Sequence, residues 1–184
     1  VALQLGCATV MDAFSTPEVE KFINTMVSTE VLPVIDEDPE ELKKFAGKIL
    51  ERFYNPYLKH YLKDISLNSL SKWETRNFPT VKDNYTKLNK NARLNSFSFA
   101  ALLVLYSGKS EVEFTPNDTA EFVEFIKSTF DAGNIKGWVE GVVKNKKIRK
   151  EGFSASPFFI DEVAASAGAI LNNVMKAALT ALLT

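Results

Sequence analysis

The chain has 184 residues, 46% of them hydrophobic, and a formal charge of −1 at pH 7. That length supports one domain with a real core, and so balanced a charge gives no reason to expect nucleic acid or an anionic membrane as partner. A single cysteine, Cys7, excludes an internal disulfide and fits a reducing, cytoplasmic setting, while a single histidine, His60, excludes a His-rich metal site.

The first fourteen residues carry Val1, Leu3, Leu5, Ala8, Val10, Met11 and Phe14, a pattern that fits the end of a buried helix or helix pair, with Gly6 as a break. Cys7 reads as a small buried residue within it. No initiating Met or basic n-region precedes this run, so no signal peptide is expected, and the chain reads as the interior of a longer one. Thr16-Pro17-Glu18 is a helix start: Thr16 can cap, Pro17 suits the first turn, and Glu18 and Glu20 suit the positive dipole end. Phe22, Ile23, Met26 and Val27 recur at helical spacing, and Pro33 is expected to end or kink this helix.

An acidic connector at 36–39 leads into a helix with Leu42, Phe45, Ala46, Ile49, Leu50 and Phe53 on one face, closed by Asn55-Pro56. Tyr57, Leu58, Tyr61 and Leu62 are expected to resume a helix, with His60 hydrogen-bonded at the domain edge. A polar run follows at 64–79, then a polar helix over 80–91 carrying Val81, Tyr85 and Leu88. Residues 94–106 are apolar all round, which predicts a central buried helix ended by Gly108.

Residues 109–116 read as a loop with brief β-like alternation at Val112 and Phe114, and Asn117-Asp118-Thr119 offers a cap to a helix bearing Phe122, Val123, Phe125, Ile126 and Phe130. A short helix over 135–143 precedes a basic cluster at 144–150, read as solvated surface because no aromatics interleave it. The last helix starts at 154–157 and is expected to pack Phe158, Phe159, Ile160, Val163, Ile170, Leu171, Val174, Met175, Ala178 and Leu182 inward. Asn172, Asn173 and Lys176 interrupt it, which argues against a membrane span. With no repeat and no sustained alternation, the expectation is an all-α single domain over 1–184, about eight helices around one long buried helix.

The run at 64–79 is the candidate site. Lys72 and Arg76 stand four apart, so on a helix they share a face, and Asn68 lies one turn before Lys72. Two cations and an amide converging on one spot suit an anionic or polyhydroxylated ligand. The plainer alternative is a solvated face on which Glu74 screens the pair. Nothing else supplies a catalytic centre: there is no Gly-x-Gly-x-x-Gly, no Walker loop, no Gly-x-Ser-x-Gly and no His-Glu-x-x-His.

The segment from Ile65 through Ser66-Leu67-Asn68-Ser69, Ser71-Lys72, Thr75-Arg76 and Pro79 resembles the Ser-Leu-Asn-Ser-x-Ser-Lys-x-x-Thr-Arg-x-x-Pro segment of tagaturonate reductases (altronate oxidoreductases), in the mannitol dehydrogenase family. Arg52-Phe53-Tyr54-Asn55-Pro56-Tyr57 with His60 is similar to that family's Arg-Phe-x-Asn-Pro-aromatic-x-x-His lead-in, and Glu30-Val31-Leu32-Pro33 to its Glu-x-x-Pro. Order and spacing agree up to about residue 115; beyond it only the helix pattern carries the likeness.

The resemblance implies a helical C-terminal domain, similar to that of 6-phosphogluconate dehydrogenase, which closes over the substrate. It implies an N-terminal Rossmann domain of the same polypeptide as partner, binding NAD, and a catalytic Lys-x-x-x-x-Asn-x-x-His motif ending a few residues before Val1. On that basis this chain holds no catalytic, cofactor or metal residue and is inactive alone. Lys72 matches a basic position that reaches the substrate, with Arg76 and Asn68 as further candidates. Trp73 and Glu74 stand where an aromatic–basic pair is common, which leaves the substrate open between tagaturonate, fructuronate and an uncharged polyol. The competing reading is an autonomous all-helical interaction module.

Overall fold

A computed structural model describes residues 1–55, 57, 59–145 and 158–184, and among these it forms ten α-helices and no β-strand. In chain order they are α1 (Val10–Phe14), α2 (Pro17–Met26), α3 (Pro39–Phe53), α4 (Leu62–Ile65), α5 (Ser69–Arg76), α6 (Phe78–Leu88), α7 (Arg93–Tyr106), α8 (Ala120–Ser128), α9 (Ile135–Lys144) and α10 (Phe159–Leu182). The apolar run of the sequence is α7, in which every residue but Arg93, Ser98 and Leu102 is buried. Burying each large side chain there contributes about 1.5–3 kcal/mol before chain entropy is counted. α10 lies along α7 and also covers α9, while α2 and α5 close other sides of α7. Gly108 ends the α7 segment in the left-handed region at φ 74°, where a side chain would be strained.

Local caps explain why the chain breaks where it does. Asp38 Oδ1 accepts the amides of Glu40 and Glu41 at 3.0 and 2.9 Å and starts α3. Thr9 and Asp12 form a reciprocal capping box at α1. The first fourteen residues form a broken pair, as one of the two expected arrangements has it: Gly6, at φ 82°, ends a short 3₁₀ turn, Leu3–Leu5, and α1 starts afresh. Of the expected helix over 57–62, Lys59, His60 and Tyr61 are not helical, and Leu58 lies outside the described residues. The backbone there pairs across the chain, Val10 N to His60 O and Leu62 N to Ala8 O, both at 2.9 Å, and only Leu62–Ile65 is helical. His60 is exposed at this edge.

Pro33 does not end α2 directly. The helix widens into one π turn, Val27–Val31, and then a 3₁₀ turn, Leu32–Val34, that contains Pro33. α3 has an apolar face but buries none of its residues, and Phe45 is 64% exposed. Val174, expected inside, is 44% exposed and sits at φ 58°, ψ 161° within α10, where the helix kinks. Phe158 is also half-exposed. The expected start of the last helix at 154–157 and most of the basic cluster, 146–150, lie outside the described residues; Lys144, at that cluster's edge, pairs with Glu140. Among the described residues, no helix is long and apolar enough to cross a membrane.

Candidate functional site

Asn68 divides the polar run. Its backbone takes the left-handed conformation, φ 54° and ψ 38°, which asparagine tolerates better than most residues, and this turn separates α4 from α5. The first turn of α5 is then held from outside. Asn68 N donates to Asn117 O at 2.7 Å, and Leu70 N donates to Asp118 Oδ2 at 3.0 Å. The same Asp118 oxygen receives the Tyr106 hydroxyl at 2.7 Å. Burial, and then the neighbouring carboxylate, push the Tyr106 phenol well above its ordinary pKa. Of the three residues that offered a cap for α8, Thr119 takes the N-cap position, without a side-chain bond, and Asp118 fastens α5 to the end of α7.

With α5 so placed, Lys72 and Arg76 both line one open cavity of about 340 Å³. Val1, Leu62 and Ile65 contribute from one side, and Ser98, Ala101, Leu102 and Leu105 of α7 from the other. Trp73, between the two cations in sequence, is buried and forms part of the floor. Its indole Nε1 donates to Ser98 Oγ at 2.8 Å, and its ring packs on Phe99 at 4.4 Å and Phe159 at 5.9 Å between centroids. Lys72 is half-buried and donates from Nζ to the carbonyl of Ile65 at 3.0 Å. Arg76 is exposed at the mouth. Among the described residues neither cation has a carboxylate within ion-pair distance, Glu74 included. Asn68 lies at the exposed turn and is not among the residues lining this cavity.

Four further polar groups belong to the wall. Ser66 and Ser69 are among the small polar residues that made the run unusual, and Ser98 is a polar interruption in the apolar α7. Asn77, at the junction of α5 and α6, also lines the cavity; its Nδ2 donates to Asn95 Oδ1 at 3.1 Å. Behind it, Asn95 Nδ2 donates to Glu30 Oε2 at 2.8 Å. Glu30 is buried and also accepts Leu94 N at 2.7 Å and Asn95 N at 2.9 Å, which satisfies the amides at the start of α7. Burial raises its carboxyl pKa, and these three hydrogen bonds oppose the rise. The Glu-x-x-Pro likeness contained Glu30, but its destination, residues 64 and 65 positions further on, is not a local signal.

The cavity thus offers two cationic donors, an amide and three hydroxyls over an aromatic floor. That arrangement can bind and orient a small oxygen-rich anion. Among the described residues that line it there is no histidine, cysteine or carboxylate. Among the described residues no group of three or more His, Cys, Asp or Glu side chains could hold a metal ion.

Residues 1–171 match the family described as the mannitol dehydrogenase C-terminal domain. The altronate oxidoreductase of Bacillus subtilis (strain 168) is 42% identical over 116 residues, 63% of this chain and 24% of that protein. That of Klebsiella pneumoniae (strain 342) is 30% identical over 182 residues, 96% of this chain and 38% of that protein. The chain therefore spans from about a quarter to under two fifths of the length of these curated relatives. Among solved structures, Pseudomonas fluorescens mannitol 2-dehydrogenase in ternary complex with NAD and D-mannitol superposes with a TM-score of 0.83. At 20% identity, covering 99% of this chain and 37% of that one, it shows the shared helical fold.

Proposed function

Because the chain belongs to the mannitol dehydrogenase family, as a C-terminal domain, we propose that it forms the substrate-side wall of an NAD-dependent hexuronate reductase that interconverts tagaturonate and altronate. The observation that carries this reading is the pair Lys72 and Arg76, on one wall of one cavity with no acidic partner among the described residues. Lys72, half-buried beside an apolar floor, is stabilised when a ligand supplies negative charge, and the exposed Arg76 adds a second charged donor at the mouth. A uronate carboxylate supplies that charge through charge-assisted hydrogen bonds, and its hydroxyls match the serines and Asn77. Names of relatives point the same way.

In this reading Lys72, half-buried and tethered to the Ile65 carbonyl, holds the substrate's carboxylate or a hydroxyl, and Arg76 closes the mouth over it. Asn68 contributes by shaping the turn that places α5. The chain has no dinucleotide fingerprint, so this reading places NAD elsewhere. It belongs to an N-terminal Rossmann domain of the same polypeptide, where it supplies the hydride. Family membership sets aside a module with no enzymatic history.

The test is Lys72→Ala in the full-length polypeptide. The KM for tagaturonate should rise roughly tenfold or more, as loss of a charged hydrogen bond does, with the KM for NADH unchanged. Equal losses for both, or no loss, count against the assignment. This chain alone should consume no NADH with tagaturonate.

A further inference from the structure

The wall described above is rich in donors, yet a sugar acid presents hydroxyl hydrogens as well as a carboxylate. Lys72 and Arg76 can only donate. Ser66, Ser69 and Ser98 donate their hydroxyl hydrogens to the carbonyls of Lys63 at 2.6 Å, Ser66 at 2.7 Å and Asn95 at 2.7 Å, which leaves their oxygens as acceptors, that of Ser98 already taken once by Trp73 Nε1. The remaining polar side chain on this wall is the Asn77 amide, and its orientation is decided by groups buried behind it.

The chain of constraints begins at Glu30. Three N–H groups converge on its carboxylate, so both oxygens accept. Asn95 must therefore turn its Nδ2 to Glu30 and its Oδ1 the other way, towards Asn77. Oδ1 cannot donate, so Asn77 must turn its own Nδ2 to Asn95. Flipping either amide would oppose oxygen to oxygen or N–H to N–H. Asn77 Oδ1 is left over. Asn77 sits at the N-cap of α6, but its side chain makes no capping bond there, and among the described residues nothing donates to that oxygen. Asn95 and Glu30 are both buried, so water does not loosen the relay.

We propose that Asn77 is a further substrate-binding residue, whose amide oxygen accepts a hydrogen from a substrate hydroxyl, and that Asn95 and Glu30 are positioning residues that hold it in that orientation. The proposal rests on the hexuronate reading of the cavity and adds to it a preference for hydroxylated ligands.

The test compares Asn77→Ala, Asn95→Ala, their double variant and Lys72→Ala in the full-length polypeptide, by calorimetric binding of altronate and by KM for tagaturonate and NADH. Asn77→Ala should weaken altronate binding and raise the tagaturonate KM, each roughly three- to tenfold, with the NADH KM and kcat little changed. Asn95→Ala should have a similar effect that disappears in the Asn77→Ala background, whereas a merely structural role would add to it. Asn77→Ser, too short to reach both partners, should repeat the result if the alanine variant is poorly soluble. Unchanged altronate binding in Asn77→Ala beside a loss in Lys72→Ala overturns the role of Asn77 and leaves the site reading in place. No loss in either variant overturns both. A loss in Asn77→Ala with none in Lys72→Ala upholds Asn77 and removes the cation's role.

Discussion

Tyr106 and Leu70, 36 positions apart, share one carboxylate oxygen: the phenol and the backbone amide both donate to Asp118 Oδ2, at 2.7 and 3.0 Å. Through it the end of the central buried helix grips the start of the helix that carries Lys72 and Arg76. Asp118→Ala leaves a buried hydroxyl and a helix-start amide without their acceptor. It should cost about 2–4 kcal/mol, the sum of two such losses, read by urea unfolding. Tyr106→Phe removes one bond only and should cost about 1 kcal/mol. Equal effects would mean that Asp118 does not serve both.

Glu30 makes stability depend on pH in a particular direction. Its folded pKa is raised above the ordinary 4.5, first by burial, against three hydrogen bonds, with a further small push from Glu162. In the window above 4.5 the unfolded chain releases this proton before the folded one does. Glu30's contribution is therefore full below that window and is lost as pH rises through its folded pKa. Glu162, raised by partial burial, acts in the same sense. Glu30→Gln stays neutral, so its unfolding free energy relative to the parent should improve steadily from pH 4.5 to 7. A constant difference across that range would show that Glu30 carries no shifted proton.

Val174 is the place where the backbone conflicts with its side chain. At φ 58° and ψ 161° a β-branched residue is in a region that glycine occupies freely and others avoid, at a cost on the order of 1–3 kcal/mol. The side chain is 44% exposed, so little packing is lost on truncation. Val174→Gly should leave stability unchanged or raise it, measured as the thermal midpoint. A glycine in a regular helix instead lowers stability by about 0.5–1 kcal/mol, and that outcome would argue against the kink.

Much of the fold was legible because helix signals are local. Apolar spacing announced α3 and α9 within a residue or two and the start of α8, whose expected run to Gly133 stops at Ser128, and the uniformly apolar 94–106 segment announced its own burial. Errors fell where a distant partner overrode local preference. Tyr57, Leu58, Tyr61 and Leu62 have helical spacing, but the backbone at His60 and Leu62 bonds to Val10 and Ala8 instead. Of Asn117-Asp118-Thr119, Thr119 does take the N-cap position of the next helix, but no side-chain bond forms there and Asp118 turns back across 48 positions to Leu70. Val174 fits an inward stripe only if α10 stays regular, which it does not.

The candidate site divides along the same line. Four-residue spacing was enough to put Lys72 and Arg76 on one face of α5, because helical geometry depends on sequence distance alone. That same arithmetic placed Asn68 with them, and a left-handed turn at Asn68 undid it. Whether the face met a hollow or solvent was settled by Asp118, Trp73 and Ser98. The orientation of Asn77 was settled by Glu30, 47 positions earlier, through Asn95. The sequence by itself determined an all-helical chain and one cationic helix face. Only the tertiary structure decided what that face looks onto, since a cavity is the space left between elements whose packing no local pattern encodes.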